Sequence, residues 1–112
     1  MISIEPFHGN SIKIYQKENN TYKSIYQYPH ELDFAHTIVG TKFFNKNYFI
    51  GGLRRVNPDL FMILMENNQI ITTIIDQGCG PANCNVYIDK ENVYIHSANH
   101  TQNHAALYVV KK

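Results

Sequence analysis

The feature that most constrains the fold is a run of four strand signals between Phe34 and Gln77. Each segment is rich in β-branched, aromatic or long aliphatic residues, and short stretches of Asn, Gly, Pro and Asp separate one segment from the next. This pattern is typical of consecutive β-hairpins and predicts a four-stranded antiparallel meander. The predicted strands are Ala35–Phe44, Tyr48–Leu53, Leu60–Met65 and Ile70–Asp76.

Six further strand signals flank the meander, three on each side. No segment of ten or more residues places its apolar residues at helical spacing, so we expect no helix. We therefore predict an all-β fold with the strand spacing of a barrel, a sandwich or a propeller. The flanking strands are predicted at Met1–Phe7, Ser11–Gln16, Thr21–Tyr28, Asn85–Ile88, Val93–His96 and Ala105–Val110.

An internal repeat favours the propeller among these folds. If the central strands are labelled a to d, the N-terminal segment follows b, c, d and the C-terminal segment a, b, c, with a period of about 45–50 residues. Phe34-Ala35-His36-Thr37 and Gly80-Pro81-Ala82-Asn83 open two of the units. The chain therefore resembles about two and a half β-propeller blades, with segments of about 1–29, 34–77 and 84–112.

A part-propeller of this kind cannot close its ring alone, and ring closure is what protects the sheet edges of a propeller. We expect either the missing blades of a longer chain or a homo-oligomer that completes the ring through a heterologous interface. The alternative is a small sandwich or barrel in which residues 1–112 form a single all-β domain.

Composition excludes several classes of partner. The 112 residues carry a net charge of +1 with 17% charged residues, so no basic stripe is available for nucleic acid. No apolar run reaches the roughly 20 residues of a membrane span, and Met1–Pro6 lacks the pattern of a signal peptide. We expect a cytoplasmic protein that binds no membrane. Reduced thiols are then the default for Cys79 and Cys84, whose redox state stays open.

The predicted loops sort into two ends, because alternate loops of a meander lie at the same end of the sheet. The turn end holds the tight turns Lys17–Asn20, Asn45–Asn47, Glu66–Gln69 and Asp89–Asn92. The loop end holds the longer loops His8–Asn10, Pro29–Asp33, Arg54–Asp59, Gln77–Asn83 and Ser97–Asn103. All six histidines, both cysteines and both arginines fall at or near the loop end. Function concentrates on loops held by a rigid scaffold, and the propeller resemblance implies a ligand site at the same end.

The chemistry of the loop end indicates an anion or a sugar. Guanidinium forks bind carboxylate and phosphate groups with paired hydrogen bonds, which suits Arg54 and Arg55, and the turn Gly78–Asn83 can present backbone amides to an anion. We predict a ligand-binding or scaffold module for a small polar or anionic ligand such as a sugar. The candidate ligand-binding residues are His36, Arg54, Arg55, Asn83, Asn99 and His100.

Simpler explanations of the same residues stay open. Longer loops contain more polar residues whatever their function. His36 lies in an apolar run, where a hydrogen-bonded core histidine is commoner than a ligand-binding one. The arginine pair can also solvate its loop or contact Asp59.

An enzyme is the alternative class: a propeller-type hydrolase, lyase or isomerase, with or without a metal. Carboxylates near the loop end could act as bases beside His36, and Cys79 as a nucleophile, but no catalytic residue is assigned. Cys79-x4-Cys84 and His100-x3-His104 loosely resemble a zinc finger, whose histidines need a helix that this loop does not provide. We therefore assign no metal and predict no cofactor, while zinc bound by loops at this end stays an open alternative. The carboxylates concerned are Glu31, Asp33, Asp59 and Asp76.

Overall fold

The computed structural model describes residues 1–5, 10–67 and 69–111. Ten β-strands occupy most of these residues, and the described part of the chain contains no helix. The predicted strand residues Pro6 and Phe7 and the predicted turn residues His8 and Gly9 lie outside the described ranges. The strands are β1 (Ile2–Glu5), β2 (Ser11–Glu18), β3 (Thr21–Gln27), β4 (Asp33–Phe43), β5 (Lys46–Arg55), β6 (Leu60–Glu66), β7 (Gln69–Asp76), β8 (Pro81–Ile88), β9 (Asn92–Asn99) and β10 (His104–Lys111).

The strands form three antiparallel sheets in which every neighbour in space is also a neighbour in sequence. The first sheet has the order β1-β2-β3, the middle sheet β4-β5-β6-β7 and the third sheet β8-β9-β10. The all-β prediction and the antiparallel meanders are confirmed. Three stacked meanders are compatible with propeller blades and with a layered sandwich, so the propeller stays a prediction.

Tight turns with left-handed residues set the hairpins at the turn end. Phe44 and Asn45, between the paired residues Phe43 and Lys46, have φ angles of 50° and 60°. Two consecutive residues with positive φ are what a two-residue type I′ hairpin requires. Asn19 and Asn67 take the same conformation (φ 55° and 49°) in the β2–β3 and β6–β7 turns, because asparagine tolerates it better than most residues.

The C-terminal strands β8 and β9 extend further toward the loop end than the sequence predicts. β8 begins at Pro81 and β9 continues to Asn99, so Asn83 and Asn99 are strand residues and the two predicted loops are shorter. A proline is compatible with the first residue of a strand, where its missing N–H leaves no ladder position unfilled.

The middle sheet is buried on both faces, which explains its almost uninterrupted apolar sequence. Burying a Leu, Ile or Phe side chain stabilises the fold by about 1.5–3 kcal/mol, and both faces of β6 contribute. The first face packs Ala35, Leu53, Phe61 and Ile63 against Ile12, Ile14, Tyr28 and Leu32. The second face packs Phe43, Tyr48, Ile50 and Leu60 against Cys79, Cys84, Val93 and Ile95.

A glycine in β5 allows the third sheet to approach the middle sheet closely. β8 packs directly on β4 and β5, and a Cβ atom built at Gly52 would lie 2.6 Å from the Cβ of Pro81. Such a separation is well below ordinary van der Waals contact. Gly52 therefore marks where the two sheets touch, whereas a Cβ atom at the neighbouring Gly51 would meet Phe61 within the middle sheet.

Candidate functional site at the loop end

Hydrogen bonds between loops join the described part of the loop end into one surface. Backbone polar groups in loops need partners, and here one loop supplies them to the next, which holds the loops in fixed relative positions. The bonds run from Asn57 Nδ2 to the Glu31 carbonyl (2.8 Å), from the Gly78 amide to Asp59 Oδ1 (3.1 Å), from the Gly80 amide to the Pro58 carbonyl (2.8 Å) and from the His100 amide to the Gly80 carbonyl (3.0 Å).

Both arginines lie against one aromatic ring, that of Phe34. The guanidinium carbon Cζ is 5.3 Å from the ring centroid for Arg54 and 4.7 Å for Arg55. Both distances are within the range of about 6 Å over which a cation is attracted to an aromatic face. The His36 ring stacks on Phe34 with centroids 5.7 Å apart and planes inclined by 21°. The loop end thus presents two cations and an imidazole around a phenyl platform.

The backbone around this platform is strained. Phe34 has a φ angle of 57°, and Val56 and Asn57, directly after the arginines, have φ angles of 42° and 54°. A bulky or β-branched residue in the left-handed region costs about 1–3 kcal/mol and occurs mostly where the surrounding structure imposes it. The bond from the Leu53 amide to the Asp59 carbonyl (3.0 Å) closes the β5–β6 loop. Such strain is commoner at functional sites than elsewhere.

A hydrogen bond ties the arginine pair to the third sheet. Arg54 Nη2 lies 3.0 Å from Nδ1 of His100, in the β9–β10 loop. A guanidinium group can only donate hydrogen bonds, so His100 accepts with an unprotonated Nδ1. This contact orients one fork of Arg54 and spans the junction between the middle and third sheets.

The two guanidinium groups are not neutralised by carboxylates within residues 1–5, 10–67 and 69–111. The ion pair found there joins Lys46 to Glu66 at the turn end. Asp33 is the cross-strand neighbour of Arg55 but forms no ion pair with it, and Asp59 accepts the Gly78 amide instead. The sequence alternative that Asp59 pairs with the arginines is therefore not what the structure shows.

Asn83 joins the cluster through the β4–β8 contact. His36 Nδ1 donates a hydrogen bond to the Ala82 carbonyl, and Thr37 Oγ1 donates to Asn83 Oδ1 over 3.4 Å. The Asn83 side chain is exposed and also accepts the amide of Cys84 (2.9 Å). His36 is thus a partly buried residue that bridges Phe34 and β8. It is hydrogen-bonded like a core histidine and also lies beside the arginine pair, so both sequence interpretations describe part of its surroundings.

Asn99 lies apart from the other five candidates, inside the packing of the third sheet. It is 1% exposed; its Nδ2 donates to the Tyr108 hydroxyl (3.0 Å) and its Oδ1 accepts from Ser97 (2.5 Å). Tyr108 donates in turn to Asp76 Oδ2 (2.5 Å). Burial, assisted by this bond to a carboxylate, raises the pKa of Tyr108 to about 12. The observed contacts of Asn99 are those of a structural residue.

The cysteines and histidines do not assemble into a metal group in the described residues. No cluster of three or more His, Cys, Asp or Glu side chains is found there. Cys79 and Cys84 are free and buried in the core, whereas His100 and His104 are exposed. Burial raises the pKa of both thiols, and the Asp76 charge adds to the rise at Cys79. A raised pKa disfavours the thiolate that nucleophilic chemistry requires.

Phe34 is the central residue that the sequence interpretation missed. Between the register pairs Asp33↔Arg55 and Ala35↔Leu53, Phe34 stands across from Arg54. Counted back from the Phe43↔Lys46 pair, the hairpin register places Phe34 opposite Arg55. The bulge between Ala35 and Thr37 shifts it by one residue, so the hairpin register alone does not give this pairing.

Comparison with protein-family models, with curated proteins and with solved structures found no match to this chain. In the part of the chain that is described, no helix is long and apolar enough to cross a membrane.

Proposed function

We propose that the chain is a ligand-binding module whose loop end takes a small polar anion, such as a sugar that carries a carboxylate. The observation that carries the proposal is the pair of guanidinium groups on the Phe34 ring without a carboxylate partner in the described chain. A charged pair left without a counter-ion at a partly desolvated surface favours an anion from outside.

The geometry supports binding with little loss of side-chain freedom. Contact with Phe34 restricts both arginine side chains, and the His100 bond holds one fork of Arg54. Groups that are ordered before the ligand arrives lose less entropy on binding, which raises affinity for the same contacts. The exposed side-chain amide of Asn83 adds a polar group suited to a ligand hydroxyl.

The test is a titration of the chain with glucuronate, followed by calorimetry or by amide chemical shifts. We expect saturable binding in about the millimolar range that weakens as salt is added, because exposed charge pairs are screened. Arg54→Gln and Arg55→Gln should each abolish it, and glucose, which has no carboxylate, should bind much more weakly. Lys42→Gln removes an exposed cation of β4 at the turn end and is the matched control.

Two outcomes would contradict this proposal. If glucose and glucuronate bind equally, the guanidinium groups do not recognise the ligand. If neither glucuronate nor inorganic phosphate binds saturably, or if Lys42→Gln weakens binding as much as Arg54→Gln, the loop end is not an anion site.

We also propose that the three sheets are successive blades of a larger propeller. Two observations support this arrangement. The sheets follow the segments 1–29, 34–77 and 84–112 that the repeat indicates, except that the middle sheet begins one residue earlier, at Asp33, and the third sheet three residues earlier, at Pro81. The first strand of the third sheet, β8, packs on the first strand of the middle sheet, β4, as the inner strands of adjacent blades do in a propeller.

The absolute mass of the purified chain in solution, from light scattering, tests the propeller. A defined homo-oligomer would support ring closure by copies of the chain, and polydisperse association would support a need for further blades. A stable monomer would contradict both, and a layered sandwich would replace the propeller.

A further inference from the structure

A cavity of about 590 Å³ lies at the turn end, between the first and middle sheets. Small-molecule sites in proteins commonly enclose about 300–1,000 Å³. The cavity has an apolar wall formed by Ile14, Ile25, Met65 and Ile70, and polar side chains at its rim that include Tyr15 and Lys17. It lies at the opposite end of the strands from the arginine pair.

A β-bulge accounts for the cavity. The β2–β3 register shifts between Ile14 and Tyr15, which leaves Ile25 without a paired residue, and a bulge bends its strand and increases its twist. Toward the loop end the same two sheets are in direct contact, with the Tyr28 and Phe61 rings 4.7 Å apart. We attribute the cavity to this strand geometry.

The charge at the rim is positive. Glu66 lines the cavity, but its carboxylate is paired with Lys46 at 3.1 Å. Lys17 forms no ion pair with any described residue. An apolar wall with an unpaired ammonium group at its rim matches a molecule with an apolar body and an anionic head.

We propose that this cavity is a second ligand site, for a small amphipathic anion such as a medium-chain carboxylate. The hydrocarbon chain lies on Ile14, Met65 and Ile70, and the carboxylate reaches Lys17. The site is independent of the proposed anion site at the loop end, because the two share no residue.

Decanoate is the probe, and the methionine methyl signals report its position. Met65 lines the cavity, whereas Met62 packs in the core on the other side of the middle sheet. We expect the Met65 methyl signal to shift saturably on titration, with a Kd in about the millimolar range, while the Met62 signal stays in place. A shift of both signals, or no saturable shift at Met65, would overturn the proposal.

Variants separate this site from nonspecific binding and from the loop end. Lys17→Gln should raise the Kd for decanoate by roughly two- to fivefold, as expected for a partly exposed charge pair. Lys23→Gln, an exposed lysine of β3 outside the cavity lining, should leave it unchanged. Ile25→Trp should fill the cavity and abolish binding. Equal effects of the two lysine variants, or loss of binding in Arg54→Gln, would place decanoate elsewhere and overturn the assignment.

Discussion

The two faces of the middle sheet are packed by different means. The second face, toward the third sheet, has buried polar side chains that all find partners: Ser97, Asn99 and Thr37 are bonded. The first face, toward the first sheet, contains a buried hydroxyl, that of Tyr28, without a described partner, and it leaves the turn-end cavity. Satisfied polar networks specify one arrangement, whereas unsatisfied groups and voids do not. The second face is therefore the more tightly determined.

The close approach at Gly52 should give the largest effect on the second face. Gly52→Val places a side chain where Pro81 already lies, so we expect a loss of about 3 kcal/mol in the free energy of unfolding. Urea unfolding followed by circular dichroism measures it. Gly40→Ala, on exposed β4 backbone with its nearest neighbour at 3.3 Å, should remain within about 1 kcal/mol of the native value. If the two variants lose the same free energy of unfolding, the close approach at Gly52 does not determine the packing of the second face.

Loss of the buried Asn99 side-chain amide should give the second largest loss of stability. Asn99→Ala removes the acceptor of the Ser97 hydroxyl and the amide that donates to the Tyr108 hydroxyl, which should cost about 2 kcal/mol. The matched control is Asn85→Ala on the exposed face of β8, expected within about 0.5 kcal/mol of the native protein. If both variants unfold at the same urea concentration, the polar network does not stabilise the second face.

Alkaline pH should weaken the fold through its buried tyrosines. The pKa of Tyr108 is about 12 in the folded state and about 10 in an unfolded chain. The unfolded state therefore loses its proton first, so the stability that Tyr108 contributes is complete below pH 10 and is lost as the pH rises toward 12.

Unfolding at stepped pH compares the two faces. In Tyr108→Phe we expect a shallower decline of stability over this pH range than in the native protein. The decline that remains comes from other groups whose pKa is raised by burial. These are Tyr26 and Tyr28 on the first face and the two buried thiols. An unchanged slope would show that Tyr108 does not titrate differently in the two states.

The smallest expected effect has the opposite sign. Because the Tyr28 hydroxyl is buried without a described partner, Tyr28→Phe should leave stability unchanged or raise it by up to about 1 kcal/mol. Tyr26→Phe is the matched comparison, since it breaks the 2.6 Å bond between Tyr26 and Thr72 and should cost about 1 kcal/mol. If Tyr28→Phe destabilises the protein as much as Tyr26→Phe does, the Tyr28 hydroxyl has a hydrogen-bond partner. The two faces would then differ less in how their buried polar groups are satisfied.

The residues that lie at the loop end could largely be predicted, because alternation of strand direction alone decides at which end each loop lies. Arg54, Arg55, His36 and His100 are all found there, since the number of strands between two loops decides which end each loop occupies. Asn99 could not be placed in the same way. Its role depends on β9 continuing beyond His96 and on Tyr108 lying beside it, and nothing local to the Ser97–Asn103 stretch encodes either contact.

Sequence by itself determined the strands, their antiparallel order and the burial of the central meander, because period-two patterning and turn residues act over a few neighbouring positions. Tertiary structure alone decided which faces meet and how closely. The Gly52–Pro81 approach, the convergence of both arginines on Phe34 and the cavity beside the Ile14–Tyr15 bulge all join residues from different hairpins. Their geometry is set by sheet twist and packing, which depend on the whole chain at once.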